Sequence, residues 1–338
     1  MQKILQLLFL CSSLLLINGC SDDNTPTVVV YTSVDQVFSQ PILKDFERET
    51  GVKVKAIYDT EETKSTGVLN RLIAEKHNAQ CDLFWSGDPI RTIILKSRGI
   101  TYPHLPVNGT GISPLFTDSK HHWYGFSARA RVLIYNKSLL AEANVPHSIL
   151  DLDKEQYKGQ VAIANPLFGT TTFHIAALFS VLGDKKAKQF LKALKNNKIV
   201  IATSNGDVKK RVMKGEVACG ITDTDDAYEA MQERSDIGMV FLDQELNQMG
   251  SLIIPNTVNL IKNAPHLEQG RKLMDYLLSP ETEAKLAISC AQMPLHKGVK
   301  IPQGMQSLDR IHPMNIDYSK TAQKSEEIQN YLKAWVEN

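Results

Sequence analysis

The sequence predicts an α/β fold of two lobes, in which each lobe is an open, mostly parallel sheet flanked by helices and hinge strands join the two. Three observations predict this fold. Short β-branched runs alternate with helical patterns, which is typical of parallel sheets covered by helices. The alternation restarts near residue 160. Residues 125–135 and 250–262 form two long extended segments, as expected of strands that cross between lobes.

The N-terminus predicts an exported protein with a lipid anchor. Lys3 precedes an apolar run over residues 4–17, which is shorter than the about 20 residues of a membrane-spanning helix. The run ends in Leu-Ile-Asn-Gly-Cys, which resembles the lipobox where a signal peptidase cuts before a lipid-modified cysteine. We therefore expect a lipoprotein signal peptide over residues 1–19, lipidation of Cys20 and a flexible tether over residues 20–26. An ordinary signal peptide with a chance cysteine is the alternative.

Length and charge limit the function classes. Cleavage before Cys20 leaves about 319 residues, which is too long for one compact core and suits two lobes. Without Lys3 the 38 basic residues fall to 37, which equals the 37 acidic residues, and no long block of like charges occurs. We therefore expect a monomer with no nucleic-acid partner. Contact with the membrane is expected through the lipid on Cys20, because no second apolar stretch is long enough to span it.

The first lobe is expected over residues 27–124 and 256–310. Its β-branched first strand precedes an amphipathic helix that Gly51 ends, and two further strand–helix pairs follow. The predicted strands are 27–33, 52–58 and 81–86, and the predicted helices are 37–50, 68–78 and 90–99.

The second lobe is expected over residues 125–255, where the alternation of strand and helix repeats. Its predicted strands are 159–165, 198–204 and 216–222. Later segments at 265–278, 280–289 and 321–337 have helical patterns. We expect residues 311–338 to form a C-terminal helical segment that packs on the lobes.

Candidate ligand-binding residues follow the predicted strands, because open α/β sheets bind ligands beyond the carboxyl ends of their strands. Small polar residues and carboxylates dominate these positions. They are Ser33, Asp35, Glu61, Ser86, Asp88, Gly169, Thr170, Thr171, Thr172, Asn205, Asp223, Asp225 and Asp226. The sequence holds no nucleophile elbow, zinc-protease motif or Walker loop, so we expect neither enzyme activity nor an enzyme cofactor.

Residues 169–172, at the start of a predicted helix, indicate an anion site. A helix N-terminus carries unpaired N–H groups and about half a positive charge. Glycine lets the backbone approach closely and threonine hydroxyls add donors. Arg129 and Arg131 share one face of the hinge strand, and either could reach the cleft; Arg129 and Asn205 complete the predicted anion set. The alternative is a threonine N-cap without a ligand.

Three acids within four residues, Asp223, Asp225 and Asp226, indicate a site for a cation or an amine. A hard cation takes oxygen ligands, and an ammonium group donates hydrogen bonds to the same carboxylates. Asp225 and Asp226 are the candidate metal ligands. The first lobe is expected to add the acids Asp35, Glu61 and Asp88 and the cleft residues Ser33 and Ser86. The alternative is that acids simply favour the first turn of a helix.

Cys81, Cys219 and Cys290 remain once Cys11 is removed and Cys20 is acylated. An odd number allows at most one disulfide, and whether one forms stays open. We expect buried thiols that act as small apolar side chains.

Five motifs, in this order, resemble the periplasmic ferric-ion-binding-protein family of ABC-importer solute-binding proteins. They are VYTS, WYGFSARARVLIYN, NPLFGTT, GITDTDDA and IPNTVNLI, and the likeness spans about residues 27–300. The resemblance implies a periplasmic-binding-protein ("Venus flytrap") fold that closes on its ligand and delivers it to a permease and ATPase. Family members with iron bound use two adjacent tyrosines and a synergistic anion. That pair falls near Asp225 and Asp226, with Tyr228 close by, and the anion position falls on residues 169–171.

We therefore predict a lipid-anchored solute-binding protein of an ABC importer in the cell envelope, facing the periplasm or the extracellular side. The ligand is either iron(III), or another metal, with an anion, or a small phosphate or phosphonate such as an aminophosphonate or a sugar phosphate. The second kind of ligand would place its negative end on the threonines and its positive end on the aspartates. A cell-envelope hydrolase is a remote alternative.

Overall fold

The computed structural model describes residues 25–59 and 67–337. The predicted signal peptide, Cys20 and Glu61 lie outside the described residues, so what was predicted of them stays a prediction.

The described residues form ten strands and eleven α-helices. The strands are β1 (Thr27–Thr32), β2 (Lys53–Tyr58), β3 (Leu83–Ser86), β4 (Thr101–Tyr102), β5 (Tyr124–Asn136), β6 (Val161–Ala164), β7 (Val200–Ala202), β8 (Cys219–Asp223), β9 (Ile237–Val240) and β10 (Ile253–Ile261). The helices are α1 (Gln36–Thr50), α2 (Gly67–Ala74), α3 (Pro89–Ser97), α4 (Gly169–Leu182), α5 (Asp184–Asn196), α6 (Asn205–Lys214), α7 (Thr224–Glu233), α8 (Leu267–Leu277), α9 (Pro280–Cys290), α10 (Tyr318–Glu327) and α11 (Gln329–Glu337).

Two sheets share strand β5. The first sheet has the order β2-β1-β3-β10-β5, with β4 beside β10, and the second has the order β5-β8-β6-β7, with β9 beside β5. In each sheet the strands that alternate with helices are parallel: β1 with β2 and β3, and β6 with β7 and β8. The predicted α/β fold of two lobes is confirmed. The sheets were predicted to be mostly parallel but are mixed, because β10 pairs antiparallel with β3 and β5, and β5 pairs antiparallel with β8 and β9.

Strand β5 makes the crossing between the lobes. Up to Ala130 it pairs with β10 in the first sheet, and from Arg131 onward it pairs with β8 in the second. Ser127 has a φ of 43°, and the register with β10 shifts between Pro255 and Asn256. This bulge bends the strand pair close to the point where the sheets part.

Helix α4 is apolar on nearly all sides, because it is covered on nearly all sides. Its residues from Thr170 to Phe179 are all buried. The C-terminal helices pack against it: Phe173 contacts the ring of Tyr318, and Phe179 contacts that of Tyr331. The helix is therefore held firmly at the point where it begins beside the cleft.

The C-terminal segment packs on both lobes. Helix α10 contacts α3 of the first lobe and α4 of the second. The hydroxyl of Tyr318 donates to the carbonyl oxygen of Ile253 at 2.9 Å, and the indole N–H of Trp335 donates to that of Leu191 at 3.0 Å.

Cys81, Cys219 and Cys290 are buried free thiols, as expected. Burial raises the pKa of both Cys219 and Cys290 to about 12, so neither is ionised at neutral pH. Within the described ranges, no helix is long and apolar enough to cross a membrane.

Candidate functional site

A cavity of about 370 Å³ lies between the two lobes. Both lobes and the hinge strand β5 line it. Of the residues predicted for the site, Ser33, Asp35, Asp88, Arg129, Gly169, Thr170, Thr171, Asn205, Asp223, Asp225 and Asp226 line this cavity. Ser86 and Thr172 do not, and both are fully buried.

The first turn of α4 faces the cavity without a side-chain cap. Its N-cap residue is Phe168, which has no side-chain hydrogen bond to the helix. The hydroxyl of Thr172 donates to the carbonyl of Pro166 at 2.8 Å instead. Gly169 has a φ of 57°, and a Cβ placed there would meet no heavy atom within 4 Å. The glycine is thus required by its left-handed backbone, and the space before the helix is open. The threonine-cap alternative does not describe this turn.

A hydrogen-bond network lies directly beneath that turn, centred on the buried pair of Arg131 and Asp223. Arg131 Nη1 donates to Asp223 Oδ1 at 2.7 Å and to Thr170 Oγ1 and Asn205 Oδ1, both at 3.1 Å. Asp223 Oδ2 accepts from Thr170 Oγ1 at 2.9 Å and from Asn205 Nδ2 at 3.1 Å. Arg131 Nη2 lies 3.4 Å from Thr171 Oγ1, which accepts from it.

The negative charge of Asp223 is therefore compensated by other groups of the protein. Burial raises the pKa of this carboxyl, but the guanidinium groups of Arg131 and Arg129 outweigh burial and hold the pKa below its usual range. Asp223 was predicted to bind a cation or an amine; in the structure both of its oxygens already accept hydrogen bonds from neighbouring side chains.

Arg131, rather than Arg129, contacts the predicted anion residues. Arg129 lies on the same strand but reaches between the lobes. Its Nη2 donates to the carbonyl oxygen of Gly87 in the first lobe, and its Nη1 lies 3.5 Å from Asp223 Oδ2 and 3.9 Å from Asp225 Oδ2 in the second. Although burial disfavours the charged form of Arg129, the carboxylates of Asp225 and Asp223 both favour it and raise its pKa.

Asp225 and Asp226 form a second charged cluster with the opposite character. Burial, with repulsion from Asp223, raises the pKa of Asp225 to about 6 despite Arg129. Burial, with repulsion from Asp225 and Asp223, raises the pKa of Asp226 to about 8 despite Lys209. Thr222 Oγ1 donates to Asp226 Oδ2 at 3.0 Å. Asp226 thus keeps a proton at neutral pH, and a bound positive charge would displace it.

The predicted residues of the first lobe mainly shape the opposite wall. Asp88 caps α3, because its Oδ1 accepts from the backbone N–H of Ile90 at 2.9 Å. Ser33 Oγ accepts from the backbone N–H of Gly87 at 3.0 Å. Asp88 was predicted to bind a cation; the structure gives it this capping role. Asp35 lines the cavity at the start of α1. No group of three or more histidine, cysteine or acidic residues within the described ranges is arranged to hold a metal ion alone.

Sequence reasoning missed the part of the first lobe contributed by residues 288–292 and Asn256, which also line the cavity. Neither follows a parallel strand: Asn256 lies within the antiparallel strand β10, and residues 288–292 lie at the end of α9. The rule that selects residues after parallel strands therefore could not select them.

Residues 42–307 match the family described as bacterial extracellular solute-binding protein. The chain belongs to this family. Its members and its fold are those of solute-binding transport proteins rather than enzymes.

Several curated proteins are similar to the chain. It is 22% identical over 305 residues to the major ferric iron-binding protein of Neisseria meningitidis, with 88% of this chain and 89% of the relative covered. It is 26% identical over 213 residues to the Fe(3+)-binding periplasmic protein of Serratia marcescens, with 63% and 61% covered. It is 24% identical over 256 residues to a putative 2-aminoethylphosphonate-binding periplasmic protein of Salmonella typhimurium, with 75% and 73% covered.

Two solved structures share the fold. Iron-bound HitA from Pseudomonas aeruginosa gives a TM-score of 0.83 at 20% identity, over 91% of this chain and 99% of that chain. AfuA from Actinobacillus pleuropneumoniae, with exogenous fructose-6-phosphate bound, gives a TM-score of 0.79 at 20% identity, over 92% and 98%. These likenesses confirm the predicted periplasmic-binding-protein fold.

Proposed function

We propose that the protein captures a small ligand with an anionic group between its two lobes and delivers it to the permease and ATPase of an ABC importer. The lipid on Cys20 would hold it at the membrane as a monomer. The uncapped first turn of α4 above the buried pair of Arg131 and Asp223 carries the proposal. Ligand contacts to both lobes would favour the closed form by their differential affinity.

The anion is expected at the N-terminus of α4 for three physical reasons. The first-turn N–H groups have no side-chain cap and the helix dipole favours negative charge. The Thr171 hydroxyl accepts from Arg131, which leaves its own proton to donate. Arg129 adds a second guanidinium group to the cavity wall besides the buried Arg131.

Iron(III), or another metal, held together with such an anion is the first candidate ligand. Asp225 and Asp226 offer the carboxylate oxygens that hard cations prefer, and the anion would supply further oxygens. The relatives named as ferric iron-binding proteins support this candidate.

A small phosphate or phosphonate with a cationic group is the second candidate, and a specific observation favours it. The position of the expected tyrosine pair is taken by Asp225 and Asp226. The nearby cations Arg129 and Lys209 only partly offset the rise that burial causes in the pKa values of these carboxyls. An ammonium group would donate hydrogen bonds to both carboxylates. The relative named as 2-aminoethylphosphonate-binding supports this candidate.

A thermal-shift comparison of the metal-free mature protein tests the proposal. The probes are ferric iron alone, phosphate alone, both together, ferric citrate, 2-aminoethylphosphonate and fructose 6-phosphate. A ligand at a hundredfold excess over its Kd stabilises by about 2.7 kcal/mol. A shift that needs iron and phosphate together supports the first candidate, and a shift with 2-aminoethylphosphonate alone supports the second. If none of these probes shifts the transition, the proposed function is wrong.

A further inference from the structure

Two buried amide side chains of the first lobe line the cavity and take no part in the charged clusters. Asn256 is fully buried in β10, and Gln292 is 2% exposed just after α9. Buried polar groups in proteins are normally hydrogen-bonded. Each polar atom of these two buried amides is therefore expected to have a partner.

The orientation of both amides follows from their contacts. Asn256 Nδ2 lies 2.6 Å from the carbonyl oxygen of Ser127 and 2.6 Å from Gln292 Oε1. A backbone carbonyl can only accept, so the atom of Asn256 that faces Ser127 must be the nitrogen. That nitrogen then requires an acceptor from Gln292, which fixes Oε1 towards Asn256 and leaves Nε2 on the other side.

Each amide keeps one unused group. Asn256 Oδ1 is buried and has no hydrogen-bond partner among the described residues. No acceptor within the described ranges receives a hydrogen bond from Gln292 Nε2. The Asn256 oxygen is closed off from the cavity, whereas the Gln292 nitrogen is free to donate to a ligand there.

The backbone around the two amides is rigid. Ala128 and Met293 exchange backbone hydrogen bonds of 2.7 and 2.6 Å, which ties the segment after α9 to the hinge strand. The fully buried carboxylate of Glu283 accepts from the backbone N–H groups of Ser127 at 2.7 Å and of Leu295 at 2.9 Å. The amides are thus held in place before any ligand binds, as a binding site requires.

The same cavity has room for an organic molecule. Its volume of about 370 Å³ lies in the range of small-molecule sites. Phe38, Phe168 and Ile288 line it beside the polar groups, and such side chains suit a carbon skeleton.

We propose that Asn256 and Gln292 form a subsite for a hydroxyl group of an organic anion whose charged group lies at the N-terminus of α4. Gln292 Nε2 donates to the hydroxyl oxygen, and the hydrogen bond from Asn256 Nδ2 to Gln292 Oε1 holds the amide in that orientation. The inference rests on the proposed function and names the class of anion. A hydroxylated phosphate or phosphonate would be the cargo itself, whereas a hydroxycarboxylate would accompany a metal ion.

Matched probe pairs that differ by one hydroxyl test this subsite. They also distinguish a phosphonate cargo from a hydroxycarboxylate that accompanies a metal ion. With the full-length, ligand-free protein, calorimetry compares 2-hydroxyethylphosphonate with ethylphosphonate, and ferric citrate with ferric tricarballylate, which is citrate without its hydroxyl. We expect the hydroxylated member of one pair to bind about tenfold more tightly. In Gln292→Met the preference should fall below about twofold, while the probe without the hydroxyl keeps its affinity.

Two further variants keep the outcome interpretable. Gln292→Glu retains the oxygen that faces Asn256 and loses only the donor, so it replaces Gln292→Met if that variant does not fold. Gln80→Met changes an exposed glutamine remote from the cavity and should keep the wild-type preference. If the wild type shows no preference for the hydroxylated member in either pair, or if the preference survives in the Gln292 variants, the subsite is wrong and the proposed function stands. If no probe of either pair binds the wild type, the subsite is wrong, and the thermal-shift comparison decides the proposed function separately.

Discussion

The two charged clusters in the cleft lie a few residues apart in sequence and differ in electrostatic balance. Asp223 is paired with Arg131 at 2.7 Å and receives hydrogen bonds from its neighbours. Asp225 and Asp226 repel one another and are left with raised pKa values. The charge of Asp223 is balanced without a ligand, whereas a bound positive charge would stabilise the cluster of Asp225 and Asp226. An acidic run therefore cannot be assigned one role as a block.

Arg131→Met should have the largest effect, because it leaves the buried charge of Asp223 without its closest partner. We expect a loss of about 3–5 kcal/mol in the free energy of unfolding, measured by urea denaturation. The double variant Arg131→Met/Asp223→Asn should recover much of this loss, since no charge is then left buried. A loss below about 1 kcal/mol would show that the pair is not the centre of the balanced cluster.

Thr171→Val should separate binding from stability at the same helix. Val keeps the shape but removes the hydroxyl that is free to donate, so phosphate affinity should fall about tenfold or more. Thr172→Val is the matched control, because that hydroxyl bonds to Pro166 and not to the cavity; it should lower stability and leave phosphate affinity unchanged. Calorimetry and thermal unfolding of both variants measure the two effects, and equal losses of affinity would contradict the assignment of Thr171.

Asp226→Asn should stabilise the ligand-free protein, and only at higher pH. Burial raises the pKa of Asp226 from 3.8 to about 8, so the folded state keeps a proton that the unfolded chain loses from about pH 4. Stability from this group is therefore lost as the pH rises from about 4 to about 8. The variant should exceed the wild type by about 1–3 kcal/mol at pH 8, a value reduced for partial exposure, and should match it at pH 4.

Asp236→Asn is a control in which stability should change with pH in the opposite direction. A hydrogen bond from Arg234 lowers the pKa of the exposed Asp236, so its small contribution to stability is present at neutral pH and lost in acid. Thermal unfolding from below pH 3.8, where the contribution of Asp236 is lost, up to pH 8 compares the variants. A loss of stability at pH 8 in Asp226→Asn would contradict the unbalanced cluster.

The fold could be predicted because its signals are local. The alternation of β-branched runs and amphipathic helices can be recognised in the sequence without knowledge of any long-range contact. The residues after the parallel strands, such as Thr171, Asn205 and Asp225, could be placed at the cleft by the same rule.

The pairing of charges could not be predicted, because it depends on strand register. Arg131 of β5 lies directly opposite Asp223 of β8 across an antiparallel pair, and a shift of one residue would have turned the arginine to the other face. Arg129, two residues earlier, consequently contacts a different set of groups. The contact between Asn256 and Gln292 likewise joins two elements that only the folded chain brings together.

Proton release on binding tests most directly whether a positive charge occupies the unbalanced cluster. Calorimetry at pH 7 in buffers of different ionisation enthalpy measures it for 2-aminoethylphosphonate and for ferric iron with phosphate. Since Asp225 and Asp226 together retain protons near neutral pH, we predict that the probe that binds releases about one proton from the protein, and that Asp226→Asn abolishes most of this release. Tight binding with no proton release from the wild-type protein would contradict the account.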